Sequence, residues 1–254
     1  GAPETTPLKP KEGLNGAPET TPLKPKEGLN GAPAPGDPRR MSSIAATGFG
    51  LTALCIGDRR GYRPSKEIKE RVRTTLDFLA NKLENVHGFF YHFIDFESGE
   101  RWKDVELSSI DSSLLLCGVL TARQYFDDAE IQYLATKIYE RVDWPWMLNG
   151  GTTLSMGWTP EKGFLQARWN HYCELMMMYL LGMGSPTHPL APETWDAWTR
   201  PKINYQGIEY ISGNDPLMTH QYSHAWFDFR GKRDKYADYF ENSVKATKAH
   251  KLFC

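Results

Sequence analysis

An all-α fold built as two concentric helical layers, an α/α toroid, is what three observations predict. Uncharged helical stretches alternate along the chain with charged amphipathic ones. An amphipathic helix buries one stripe and wets the other, whereas a helix that is apolar all round needs neighbours on every side. The alternation therefore fits an inner and an outer layer better than a bundle in which each helix shows a polar face. The 254 residues, 40% hydrophobic and 13% aromatic, suffice for one sizeable core. The connections between helices are aromatic loops, with room for short strand pairs such as 89–96.

The first forty residues are a different material. Residues 1–15 (GAPETTPLKPKEGLN) recur identically as 16–30, and a further Pro-rich run follows. Such sequence carries too little apolar surface to offset its chain entropy, so 1–40 is expected to be a linker or tail outside the fold. It has no apolar stretch after a basic start and does not read as a signal peptide. The folded domain is expected over 41–254.

Within that domain, 43–57 (SIAATGFGLTALCIG) is uncharged and is expected to be an inner helix. Residues 64–83 form the first outer helix: Pro64 sits at its start, and Ile68, Val72, Leu76, Leu79 and Leu83 share one side. Next comes Asp104-Val-Glu106-Leu-Ser-Ser-Ile-Asp111, three carboxylates in eight residues, which runs straight into a segment without charge from Ser112 to Ala122. Ser108-Ser-Ile-Asp111 is a capping pattern that starts a helix over 109–125, buried on all sides. Its N-terminal end carries partial positive charge from the backbone dipoles and would hold Glu106 and Asp111. Residues 128–142 are outer again, and 168–183 (RWNHYCELMMMYLLGM) form a third inner helix. The pattern stops at Cys254 inside a helical stretch, so the toroid is expected to be incomplete at its C-terminus.

Charge excludes some functions. A net charge of −1 leaves no basic face for phosphate neutralisation, so nucleic acid is not an expected partner. No apolar run reaches the ~18 residues a membrane span needs. Cys55, Cys117, Cys173 and Cys254 are far apart with no CxxC pair. Neither a disulfide framework nor a zinc site is expected.

The candidate chemistry lies at the helix mouths. Asp111 reads either as a plain cap or, with Glu106, as part of an acid/base pair. Glu174 is the only carboxylate in an otherwise apolar helical stretch. Burying it would raise its pKa and suit it to act as a general acid, unless it is half of a structural ion pair. Trp102, Trp144, Trp146, Trp158 and Trp169 sit in loops or at helix starts. Indole rings there either plug core ends or offer stacking platforms for sugars. His220, His224 and Asp228 would share a helix face at i, i+4 and i+8. Hydrogen bonding to a polar ligand or a core network fits them better than a metal, since no HExxH-type glutamate stands between the histidines.

Several motifs together carry a family resemblance. The runs SIAATGFGLTALCIGDRRGY, GFFYHFIDFESGERW, ELSSIDSSLLLCGVL, RVDWPWMLNGG, SMGWTPEKGF, GSPTHPL, HQYSHAWFDFRG and DYFENS, in this order over 42–250, resemble the bacterial glucoamylase-like (glycoamylase) domain family. That family includes the endo-β-1,2-glucanases of glycoside hydrolase family 144 and the matching region of cyclic β-1,2-glucan synthases. The resemblance implies an (α/α)6 toroid, a periplasmic or secreted monomer, and an inverting, metal-free and cofactor-free hydrolysis of β-glucan oligo- or polysaccharide. It implies Glu106, Asp111 and Glu174 as catalytic positions, and Arg168, Trp169, His220, Gln221, Tyr222 and His224 as pocket residues; Trp158 and Trp102 join them as substrate-binding candidates on their loop positions. The chain is shorter than the family domain and lacks its later acidic motifs, so one partner of the acid/base pair is at risk. A non-catalytic carbohydrate-binding or assembly fragment is the alternative.

Overall fold

The computed structural model describes residues 36–213 and 216–254; the repeated segment 1–30 lies outside the described residues. Pro35–Cys254 forms one compact unit. A 3-10 turn, Pro38–Arg40, leads into β1 (Met41–Ser43), and Arg40 is buried there against Asp95 at 2.7 Å. The order is then α1 (Ile44–Arg59), α2 (Ser65–Asn81), β2 (Phe93–Asp95), β3 (Leu107–Ser108), α3 (Ser109–Tyr125), α4 (Ala129–Glu140) and α5 (Trp144–Leu148). It continues with β4 (Gly157–Thr159), β5 (Gly163–Phe164), α6 (Met176–Met183), the hairpin β6 (Lys202–Tyr205) and β7 (Ile208–Ile211), and α7 (Tyr239–Phe253). The strands are short antiparallel pairs, β1–β2, β3–β4–β5 and β6–β7. The architecture is helical, as the sequence predicts, with these strands lying between helices.

Three helices run parallel. Gly48 of α1 lies against Leu114 and Gly118 of α3, and one helix end later Tyr125 donates its hydroxyl hydrogen bond to Asp58. Met177 of α6 lies against Cys117, and the C-terminal ends of the same two helices line one cavity through Gln124 and Gly184. The N-termini of α1, α3 and α6 thus point the same way. The charged helices make a second parallel pair. Arg73 of α2 reaches Asp128 and Glu130 at the start of α4, and Lys137 reaches Asn81. Just past α4, Arg141 donates to the last carbonyls of α2, those of Leu79 and Ala80.

The α1–α3 crossing is close because both contact points are glycine. A Cβ on Gly118 would lie 2.0 Å from the Gly48 carbonyl oxygen, and one on Gly48 would lie 2.2 Å from that of Leu114. Burial of α3 follows the expectation, with ten buried residues from Ser109 to Ala122. That of α1 does not. It buries Ile44, Ala45, Gly48, Leu51 and Cys55, but Phe49 is 36% and Ile56 50% exposed beside exposed Ala46 and Ala53. Lack of charge marks a face that can be covered, not one that is.

The predicted helix over 168–183 is also corrected: only Met176–Met183 is α-helical. Backbone groups of 168–175 go to other segments instead. Arg168 bridges Ser155 and His171 bridges Thr199, Trp169 N–H donates to the Leu154 carbonyl, and Tyr172 N–H donates to that of Thr199. Tertiary pairing outweighs propensity here. Residues 217–225 form two 3-10 turns rather than one helix, so the shared face of His220, His224 and Asp228 does not exist.

Candidate functional site

The carboxylates of 104–111 are placed by the junction of β3 and α3. Ser108 caps α3, its Oγ accepting the Asp111 N–H at 3.2 Å, and its hydroxyl hydrogen bonds to Asp111 Oδ2 at 2.5 Å. In a reciprocal capping box the residue at Asp111's position would take the backbone N–H of the cap. Here Ser108 N–H donates to the Phe90 carbonyl instead, which leaves the other Asp111 oxygen free to face outward. It faces His92. The ring Nε2 lies 3.5 Å from Asp111 Oδ1, and Nδ1 lies 3.0 Å from Glu106 Oε1. The backbone fixes this arrangement from both sides, since His92 N–H donates to the Glu106 carbonyl and Ile44 N–H to the His92 carbonyl. Asp111 is mostly covered, with 13% of its side chain accessible, while His92 and Glu106 are open to about a third, 31% and 30%.

Strand alternation decides which aromatic residues join this cluster. Leu107 pairs with Trp158 and Ser108 with Gly157, so Leu107 and Trp158 share one face while Glu106, Ser108 and Gly157 share the other. Gly157 is needed there, because a Cβ would lie 2.4 Å from the Leu107 carbonyl oxygen and 2.9 Å from Glu106 Cγ. Trp158 instead packs with Trp146, which also meets Phe164 and stacks on His87 at 4.4 Å. Trp169 does reach the helix mouth: it is buried, and its Nε1 donates to Ser109 Oγ at 2.8 Å. Trp102 is buried too.

Glu174 stands in the turn ahead of α6, half-buried, rather than inside a helix. That turn is stitched by Ser223, whose Oγ donates to the Glu174 carbonyl and accepts the Met177 N–H. Because α3 and α6 are parallel, Glu106, Asp111 and Glu174 stand at the same end of the domain. Arg168 is spent on structure: its guanidinium donates to the carbonyls of Leu148 and Thr153 and to Thr153 Oγ1, clamping the loop after α5.

The histidines of 217–225 are a packing network. His220 is buried, its Nδ1 shares a hydrogen bond with the Tyr172 hydroxyl at 3.2 Å, and Nε2 has no partner. Burial pushes its pKa down to about 4. Burial also lowers that of His224, whose Nε2 meets Ser243 Oγ at 2.8 Å while that hydroxyl donates to the His220 carbonyl. Asp228 is exposed and paired with Arg230. Tyr222 lies edge-on to Phe49, and Gln221 is exposed. Among the described residues no group of three His, Cys, Asp or Glu side chains is arranged to hold a metal. No described helix is long and apolar enough to cross a membrane. His92 is the member of the cluster that sequence reasoning missed. It sits among aromatics in a run of strand character, and nothing in its neighbours' spacing points at Glu106.

The fold and the cluster define a helical domain with a candidate acid/base centre at the N-terminal ends of parallel helices. The comparisons with known proteins agree with that class. The Glycoamylase family model matches residues 166–254. An exo β-1,2-glucooligosaccharide sophorohydrolase (non-reducing end) of Parabacteroides distasonis is 28% identical over 84% of this chain and 35% of its own length. Among solved structures, the endo-β-1,2-glucanase from Chitinophaga pinensis, in complex with sophorotriose and glucose, superposes with a TM-score of 0.79. It is 27% identical, over 87% of this chain and 58% of that one. A β-1,2-glucanase from Parabacteroides distasonis gives 0.76 at 25% identity, over 85% and 36%. The resemblance carried by the sequence motifs therefore extends to structure. The chain spans about a third of the curated relative and somewhat over half of the solved endo-β-1,2-glucanase.

Proposed function

We propose that this chain belongs to a glycoside hydrolase acting on β-1,2-linked glucan by an inverting acid/base mechanism. The single observation that carries the reading is the end-on assembly of acidic residues. Glu106 and Asp111 face each other across His92, and Glu174 stands at the mouth of the parallel neighbour helix. The relatives' named activities on β-1,2-glucans supply the substrate class. Glu174 acts as the general acid, giving its proton to the glycosidic oxygen as the bond to the anomeric carbon breaks. A carboxylate of the Glu106–Asp111 group takes the proton from the water that attacks the opposite face of the sugar. Trp169, held at the helix mouth by Ser109, is the aromatic residue best placed to line the sugar path.

In this reading α1, α3 and α6 are inner helices of an (α/α)6 toroid and α2 and α4 belong to its outer layer, with 41–254 as the toroid domain, Pro38–Arg40 fastened to it by the Arg40–Asp95 ion pair, and the segment before them as a linker. The protein works as a periplasmic or secreted monomer. Turnover of a β-glucan panel by the chain and by Glu174→Gln tests the assignment. The substitution is expected to lower turnover of β-1,2-glucan about 10²–10⁴-fold with unchanged melting. Cleavage of another linkage in preference to β-1,2 refutes the substrate class. Sugar binding without any turnover establishes the non-catalytic carbohydrate-binding alternative.

A further inference from the structure

We infer that His92 is a positioning residue that bridges Glu106 and Asp111 and fixes both carboxylates toward the sugar. The inference deepens the hydrolase reading and rests on it. Three observations support it. The ring is the only side chain within hydrogen-bond or ion-pair distance of both carboxylates among the described contacts, at 3.0 Å to Glu106 Oε1 and 3.5 Å to Asp111 Oδ1. Its plane is set by stacking on Phe93, centroid to centroid 3.9 Å at 15°. Its backbone is pinned by hydrogen bonds to Glu106 and from Ile44, so it ties together the strand run before β2, the entry to β3 and the start of α1. A carboxylate only accepts, so a ring that holds both must present a hydrogen on Nδ1 to Glu106 and a second on Nε2 to Asp111.

A bridge of this kind matters because Glu106 is otherwise loosely held. About a third of its side chain is open to water, and its carboxylate has several rotamers available. Asp111 is steadied by Ser108 on one oxygen alone. Misplacement of a reacting group by about 1 Å costs roughly 10² in rate, so a group that removes this freedom acts on turnover more than on binding or stability. Charge contributes in the same direction, since a ring with hydrogen on both nitrogens is a cation and offsets the repulsion between the two carboxylates it joins.

Long-range ¹H–¹⁵N correlation of the His92 ring tests the bridge directly. Hydrogen on both ring nitrogens is expected, and a ring that carries it on one nitrogen alone overturns the inference whatever the activity. His92→Phe keeps a planar ring on Phe93 but loses both nitrogens. Its kcat on β-1,2-glucan is expected to fall about 10²-fold with KM within a factor of about two and parent-like melting. His92→Asn, whose amide nitrogen takes the place of Nδ1, is expected to recover about tenfold of the loss. Parent-like kcat in His92→Phe, or loss of melting with full activity per folded molecule, overturns the positioning role. If the parent cleaves no β-1,2-glucan, the hydrolase reading fails and the test moves to sophorotriose binding. There, weakening of about tenfold or more in His92→Phe supports the bridge as a sugar-positioning device, and a parent-like Kd overturns it. A parent that neither cleaves nor binds overturns both proposals.

Discussion

The glycine pair at the α1–α3 crossing makes a sharp prediction about stability. A Cβ at position 118 would meet the Gly48 carbonyl oxygen at 2.0 Å and the Gly48 carbonyl carbon at 2.6 Å. Ordinary contact begins at 3.4 Å, so Gly118→Ala forces the two backbones apart by roughly 1.4 Å. No flexible side chain can yield, because the opposing atoms are main chain. Overpacking in a close-packed core costs about 1–3 kcal/mol, and more where backbone must move. Taking the upper end of that range, because main chain opposes main chain, and returning about 1 kcal/mol for alanine's better helix propensity leaves a net loss of about 2 kcal/mol. For a domain of this size each kcal/mol shifts Tm by about 2–4 °C, so a drop of about 4–8 °C is expected. Gly50→Ala is the matched control. It lies two residues further along α1 from Gly48, in the same helix, with nothing within 4 Å of its Cβ position, and is expected to raise Tm by a few degrees. Thermal melting of both variants, followed by circular dichroism at 222 nm, decides the matter. A Gly118→Ala protein that melts with or above the parent refutes the close crossing. Because α3 carries Asp111, the same variant is also expected to lose turnover beyond its unfolded fraction.

Four further outcomes follow from the side-chain contacts. His220 has an unfolded pKa near 6.5 and a folded one near 4, so the unfolded state binds the extra proton between those values. Stability is therefore full above about pH 6.5 and falls by up to about 3 kcal/mol as pH drops to about 4; an unchanged melting slope in His220→Gln refutes this. Thiol titration of the native protein is expected to find one fast-reacting cysteine, Cys254, and four after denaturation. Cys55, Cys117 and Cys173 are buried, and burial raises Cys55 to about 11 and Cys117 to about 12. Trp158→Ala is expected to cost about 3–5 kcal/mol of stability with little change in sugar affinity per folded molecule, because its ring packs on the far face of β3–β4 from Glu106; a selective loss of sugar binding contradicts that placement. Arg168→Lys, which keeps the charge but not the three-way clamp on Leu148 and Thr153, is expected to speed proteolysis between Asn149 and Thr153 relative to the parent.

Much of the helical content could be read in the sequence because it is written in patterns of charge and apolar spacing. The stripe Ile68, Val72, Leu76 and Leu79 is buried as read, and α3 begins at the Ser108–Asp111 pattern. What the sequence conceals depends on partners far along the chain. The residues from Arg168 to Leu175 look helical by composition, yet their backbone is committed to Leu154, Ser155 and Thr199, none of which leaves a local sign. The histidine pair at 220 and 224 has metal-like spacing and belongs to the core. In the candidate site, Glu106 and Asp111 announce themselves as charge before an apolar run. His92 does not, since its two carboxylate partners lie fourteen and nineteen residues away and meet it only through strand pairing.

The segment from Ser223 to Phe227 has a consequence for how the chain acquires its structure. Ser223 holds the turn before α6, while Trp226 donates to Thr52 at 3.0 Å and packs on Phe49. Those last contacts join residues 174 positions apart. At ribosomal rates of about 5–20 residues per second, α1 would emerge roughly 10–35 s before its partner. Through that interval Phe49 has no Trp226 to pack against. A loop of that length also carries a large closure entropy that only the finished contacts offset. A helix made ahead of every other described helix is thus among the last to be completed. The rate-limiting step of folding should respond to Trp226 and Thr52 rather than to the local contacts of α2 with α4, and the nascent chain should be most prone to aggregate while α1 waits.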